Sequence, residues 1–204
     1  MSRVPTRLRA ARGGLALISI AALALGLPSP AGAASAGSAG RAAAVQPAVA
    51  AVDPGLYTLR AHHSGKCFGP RGNSTEANAF IDQQPCDGRP SQKVRVVRVQ
   101  DSQSGRDVFL RTDSGKCWNL SHPGGGGPWW VTQQPCDGSV NQILGLLSYH
   151  PWGGTQIAPE LSGVHGDCLH VANGSSADAA GIIMHRCNPG GSGMRNDTFD
   201  FLPA

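Results

Sequence analysis

Six cysteines constrain this chain more than any other feature. They stand at 67, 86, 117, 136, 168 and 187, so each of three successive pairs is separated by 19 residues and the pairs recur about every 50. The surrounding text repeats as well. QQPCDG occupies 83–88 and again 133–138, and MHRCNPG fills the matching place at 184–190. HSGKC (63–67), DSGKC (113–117) and VHGDC (164–168) each put glycine two residues before cysteine. Three copies of one unit have to be accounted for before any other feature of the fold. Six cysteines allow fifteen pairings, and the simplest one that respects the repetition joins Cys67–Cys86, Cys117–Cys136 and Cys168–Cys187. Each bridge would close a loop of about 20 residues and contribute about 3 kcal/mol. A structural zinc site is disfavoured because no C-x-x-C is present.

The compartment agrees with disulfides. Arg3, Arg7, Arg9 and Arg12 precede the apolar run LALISIAALALGL (15–27), and small residues follow with A-x-A sites ending at Ala33 and Ala36. This is the pattern of a cleaved secretory signal, assigned to 1–33, and export makes disulfides the default. Residues 34–53 are Ala- and Gly-rich and are expected to be a linker or pro-segment. The formal charge of +4 is carried by those four arginines, so the mature chain is formally neutral and composition gives no reason to expect nucleic acid as a partner. The Ala/Gly/Pro/Arg bias points to a bacterial source, and no membrane span is expected in the mature form.

Each repeat carries four short apolar runs separated by Gly, Pro, Asn and Asp. They are 55–61, 66–69, 78–86 and 93–99; then 107–112, 116–121, 129–136 and 142–149; then 155–161, 167–172, 180–187 and 197–202. No window keeps a helical period over three turns. Twelve strands in three equal units bury one shared core and leave few open edges if they close around a common axis. The expected fold is therefore all-β, a β-trefoil over 54–204 with repeats 54–102, 103–152 and 153–204. In KVRVVRV (93–99) the alternation breaks at Val97, which suggests a bulge. Lys93, Arg95 and Arg98 could form a nucleic-acid stripe, but on a neutral chain a solvated strand face is the better reading. Strand parity turns Gln83 and Gln133 inward, where the third repeat has Met184; buried amides must find partners, expected among backbone groups at the barrel end or in a neighbouring loop.

The repeat, S-G-K-C followed 19 residues later by C-x-G-x-x-x-Q, resembles the ricin B-chain-type lectin repeat, over about 54–204. GDCLHVANGSSADAAGIIMHRCN (166–188) is the most similar copy. The family's terminal Gln-x-Trp aligns with Gln92–Val94, Gln142–Leu144 and Asp197–Phe199, so an apolar residue replaces each Trp and should fill the core. The resemblance implies a sugar site in each repeat, built from an Asp two residues after the first cysteine and an aromatic two residues before the second. Those positions hold Gly69, Asn119 and His170, and Gln84, Gln134 and His185. A carboxylate makes hydrogen bonds about twice as strong as a neutral group does, Asn119 keeps donor and acceptor, and Gly69 has neither. The sites are thus degenerate, with one or two expected to work. Trp130 shares a strand face with Gln134 and is a further candidate, and Asn141 and Asn196 stand at family sugar-contacting positions. The carbohydrate candidates are Asn119, Trp130, Gln134, Asn141, His170, His185 and Asn196.

The reading is a secreted, monomeric, non-catalytic module that binds a glycan or polysaccharide. The alternative is a trefoil that contacts a secreted or cell-surface protein, for instance as a protease inhibitor, through the loop SHPGGGGPWW (121–130), where Trp129 and Trp130 would serve as anchors. An enzyme is not expected: neither G-x-S-x-G nor H-E-x-x-H occurs, and the only glutamates, Glu76 and Glu160, lie in different repeats. No cofactor is expected, and no metal, since His170 and His185 lack a third ligand fixed by spacing.

Overall fold

The computed structural model describes residues 52–100, 106–123, 125, 127–147, 153–162, 166–188, 193 and 195–204. The assigned signal, and the linker up to residue 51, lie outside the described residues. The described residues form twelve strands: β1 (Gly55–Ala61), β2 (Cys67–Pro70), β3 (Ile81–Gln84), β4 (Lys93–Arg98), β5 (Asp107–Thr112), β6 (Cys117–Ser121), β7 (Trp130–Gln134), β8 (Leu144–Leu147), β9 (Gln156–Pro159), β10 (Asp167–Val171), β11 (Ile182–Arg186) and β12 (Phe199–Pro203). Each falls on or beside one of the apolar runs, because alternating branched and aromatic residues bounded by turn formers have no competing helical period.

Six strands close a ring. β1 pairs with β12 and β4, β4 with β5, β5 with β8 and β8 with β9, all antiparallel. The bridge Thr155–Phe199 joins the β9 side back to β12. The other six strands form three hairpins, β2–β3, β6–β7 and β10–β11. These hairpins meet through three bridges, Phe80–Thr132, Trp130–Ile183 and Asp82–Gly181. This is a β-trefoil, and the three disulfides are Cys67–Cys86, Cys117–Cys136 and Cys168–Cys187, one in each lobe.

The core repeats threefold. Phe68, Trp118 and Leu169, each directly after the first cysteine of its lobe, are fully buried, as are Ile81, Val131 and Ile182 on the facing strands. Val94, Leu144 and Phe199, standing where the family has Trp, are buried too. Each such side chain contributes about 1.5–3 kcal/mol by leaving water, so the smaller residues keep the anchoring role. β4 carries no bulge: its ladder with β5 runs unbroken from Val94–Thr112 to Arg98–Val108. Val97 stays on the outer face because it stands opposite Phe109, and the two are half-buried together.

Gln83 and Gln133 fasten the lobes to one another. Both are fully buried. The Gln83 amide donates to the carbonyls of Ser175 (2.7 Å) and Ala177 (2.6 Å) in lobe three, and its Oε1 accepts from Ser64 Oγ. Gln133 donates to the carbonyls of Ser74 (2.8 Å) and Glu76 (2.7 Å) in lobe one and accepts from Ser114 Oγ. Each amide thus clasps a loop of the lobe before it. Met184 takes the equivalent place in lobe three, where its N–H donates to the Trp129 carbonyl of lobe two (2.9 Å).

Candidate functional site

Every lobe builds the same cradle: the outer face of its hairpin, backed by the turn that leads into the next barrel strand. The register sets three residue pairs opposite one another in the cradles, Gly69–Asp82, Asn119–Thr132 and His170–Ile183.

Lobe one has a carboxylate that spacing from the cysteine does not reveal. Asp82, on β3, stands directly across from Gly69 and is 1% exposed. It is already engaged. Arg71 Nε donates to one oxygen at 2.8 Å and Gln84 Nε2 to the other at 3.0 Å. The Arg71 guanidinium lies over Phe80, 4.9 Å from the ring centre. A Cβ at position 69 would come within 2.9 Å of the Ser91 carbonyl oxygen, so the turn before β4 occupies the space a side chain would need. Strand parity could have found Asp82, since it shares a face with Phe80 and Gln84.

Lobe two is less committed. Asn119 is half-buried and donates through Nδ2 to Leu120 O and Ser121 Oγ, both at 2.9 Å. Ser121 Oγ in turn meets Thr132 Oγ1 at 2.8 Å. The Asn119 side-chain oxygen, Oδ1, has no partner among the described residues. Neither does the half-buried Asn141 side chain, on the turn packed against β6. Gln134 donates to Asn78 Oδ1 of lobe one. Trp130 points to the axis where the hairpins meet: its ring packs edge-on to Phe80 at 5.8 Å, and Gly181 opposite leaves room for it, since a Cβ there would come within 2.9 Å of the indole. Trp129 packs on the core and lies 3.9 Å from the His122 ring. Both tryptophans are half-buried, so neither is the free interface anchor expected of the 121–130 loop.

Lobe three is closed. His170 is 4% exposed and Asn196 8%, and Asn196 donates to Val171 O at 2.9 Å. His185 is exposed, with its ring 5.5 Å from that of His170. The cause lies one layer behind. In lobes one and two a buried Gln latches the turn after the second cysteine: Gln92 accepts from Asp87 N and donates to Pro85 O, and Gln142 accepts from Asp137 N and donates to Pro135 O. Asp197 takes that place in lobe three. Its Oδ2 accepts from Asn188 N (2.9 Å) and Gln156 Nε2 (2.7 Å), and Gln156 also reaches Asn188 O, supplying the donor a carboxylate lacks. His170 Nε2 lies 4.0 Å from this carboxylate and makes no hydrogen bond. Burial pushes the His170 pKa below its ordinary value; Asp197 opposes the shift without overcoming it, and His185 adds to it.

His62 and His63 are half-buried and bonded, His62 Nδ1 to Asp200 (3.1 Å) and His63 Nε2 to Ser175 O (3.0 Å). Among the described residues no group of three or more His, Cys, Asp or Glu could hold a metal ion, and no helix is long and apolar enough to cross a membrane.

A ricin-type β-trefoil lectin domain-like family model matches residues 45–126. Solved structures agree over most of the chain. The designed threefold-symmetric protein ThreeFoil is 25% identical, with 73% of this chain and 99% of that one covered and a TM-score of 0.62. The Rhizoctonia solani agglutinin is 16% identical, with coverage of 75% and 97% and a TM-score of 0.61. The Macrolepiota procera ricin B-like lectin, solved in complex with lactose, is 11% identical, with coverage of 75% and 99% and a TM-score of 0.57. No curated protein matches the chain. The family model carries the ricin-B-type resemblance over residues 45–126, and the solved structures carry the trefoil fold.

Proposed function

We propose that this protein is a secreted, non-catalytic carbohydrate-binding module whose working sugar site is in lobe two. One observation carries the choice of lobe: Asn141 and the side-chain Oδ1 of Asn119 have no partner among the described residues, whereas lobe one has no side chain at Gly69, its Asp82 is tied to Arg71 and Gln84 and its Ser91 to Asn73, and His170 and Asn196 of lobe three are buried. Two amides with a neighbouring Ser–Thr hydroxyl pair suit the vicinal hydroxyls of a neutral sugar, each group being able to donate and accept. The absent stacking aromatic and the absent carboxylate make the site weak. Secretion rests on the signal-like residues 1–33 and the disulfide framework.

The test is binding of mature protein to a panel of neutral glycans that includes β-galactosides, the class represented by the lactose bound to the Macrolepiota lectin. Asn119→Ala and Asn141→Ala should each cost about 1 kcal/mol, roughly a fivefold rise in Kd, and the double variant should lose detectable binding. His185→Ala should leave binding unchanged. Loss of binding on His185→Ala alone would move the site to lobe three.

A further inference from the structure

The basic residues of KVRVVRV do not belong to any of the three cradles. We propose that the outer barrel face formed by β1, β4 and β5 holds an oxyanion-binding pocket, built from Lys93, Arg95 and Arg111, that takes the sulfate, phosphate or uronate groups of an acidic polysaccharide. A cavity of about 200 Å3 opens there, lined by these three cations with Leu56, Thr112 and Asp113. The register makes it: Leu56 stands opposite Arg95, Arg95 opposite Arg111, and Lys93 opposite Thr58. Two arginines are thus held as direct cross-strand neighbours, both exposed.

Like charges in that relation repel each other. Threefold symmetry shows how the fold treats the same position elsewhere. At the β12–β1 junction the matching pair is Asp200–Arg60, joined at 3.0 Å. At the β8–β9 junction it is Gly145–Ala158, without charge. Only the β4–β5 junction sets two cations face to face. Arg95 and Arg111 make no ion pair among the described residues; Arg111 reaches only the Gly115 carbonyl, at 3.4 Å, and Lys93 only Thr58 Oγ1, at 3.3 Å. Asp113 is the single carboxylate in the wall, so the cavity keeps a net positive charge. A tetrahedral or planar oxyanion between the two guanidinium forks would neutralise the repulsion and accept several charge-assisted hydrogen bonds. The pocket is one concavity and no aromatic side chain lines it, which suits a discrete anionic substituent better than a stacked nucleic-acid strand. The choice of a polysaccharide as carrier rests on the glycan-binding reading above.

The experiment measures binding of the mature protein to dextran sulfate and to polygalacturonate, with unmodified dextran and single-stranded DNA of equal charge as comparators and inorganic sulfate as competitor. Affinity should fall with salt, and sulfate should compete. Arg95→Gln and Arg111→Gln, both exposed and harmless to the core, should each weaken binding to the acidic polymers about tenfold, while neutral-glycan binding stays unchanged. Asn119→Ala should do the reverse. Acidic polymer binding that survives the Arg95→Gln/Arg111→Gln double variant would overturn the proposal, as would tighter binding to DNA than to dextran sulfate. Failure of every neutral glycan, with dextran sulfate still held through the two arginines, would remove the lobe-two site and leave the pocket standing.

Discussion

Lobes two and three share one hairpin-and-turn scaffold and treat the same two positions oppositely. In lobe two the second residue after the first cysteine is Asn119, half-buried, and the turn offers Asn141 with no partner among the described residues. In lobe three the equivalents are His170 and Asn196, both nearly inaccessible, and Asn196 is spent on the Val171 carbonyl. The difference behind them is a single latch, Gln142 against Asp197. A neutral amide satisfies its turn by itself. A buried carboxylate needs donors, recruits Gln156, and lies close to an inward imidazole. The opening of a pocket is therefore decided as much by the residue behind it as by those lining it.

The comparison breaks most visibly if a family-like Asp is placed in each lobe. His170→Asp would set a second carboxylate beside buried Asp197, and we expect a loss of about 3 kcal/mol in urea unfolding, with no gain of sugar binding. A smaller effect follows from pH. The folded His170 pKa lies below the ordinary 6.5, so as pH falls the unfolded chain takes up that proton first. Stability from this group is complete above about pH 6.5 and is lost as pH drops through 6.5 towards the folded pKa. Unfolding midpoints measured from pH 7.5 to 5 should decline, and His170→Gln should flatten the slope relative to the parent. The smallest effect is a gain: Asn119→Asp should tighten neutral-sugar binding by about 1 kcal/mol, read by titration calorimetry, because a charged acceptor replaces a neutral one in an open site.

Much of this was legible in the chain. The cysteine interval gave the lobes and bridges, and the turn-bounded apolar runs placed all twelve strands. Strand parity turns Gln83 and Gln133 inward and calls for partners at the barrel end or in a neighbouring loop; the structure selects the loop, through its backbone carbonyls. What escaped is cross-strand and interlobe. Asp82 lies opposite Gly69 only once β2 and β3 are in register. Trp130 shares the face of Gln134, yet the meeting of the hairpins takes its ring to Phe80 and Gly181. The Arg95–Arg111 pair joins two repeats, so no pattern inside one repeat contains it.

The account depends on lobe two being the lobe that meets sugar. Side-chain amide NMR signals of the mature protein, followed during titration with the best neutral glycan from the panel, test this directly. The Asn119 and Asn141 resonances should shift with one common saturation curve while those of Asn196 and Gln156 stay still. Saturating shifts at Asn196 and Gln156 with Asn119 and Asn141 unmoved would contradict it.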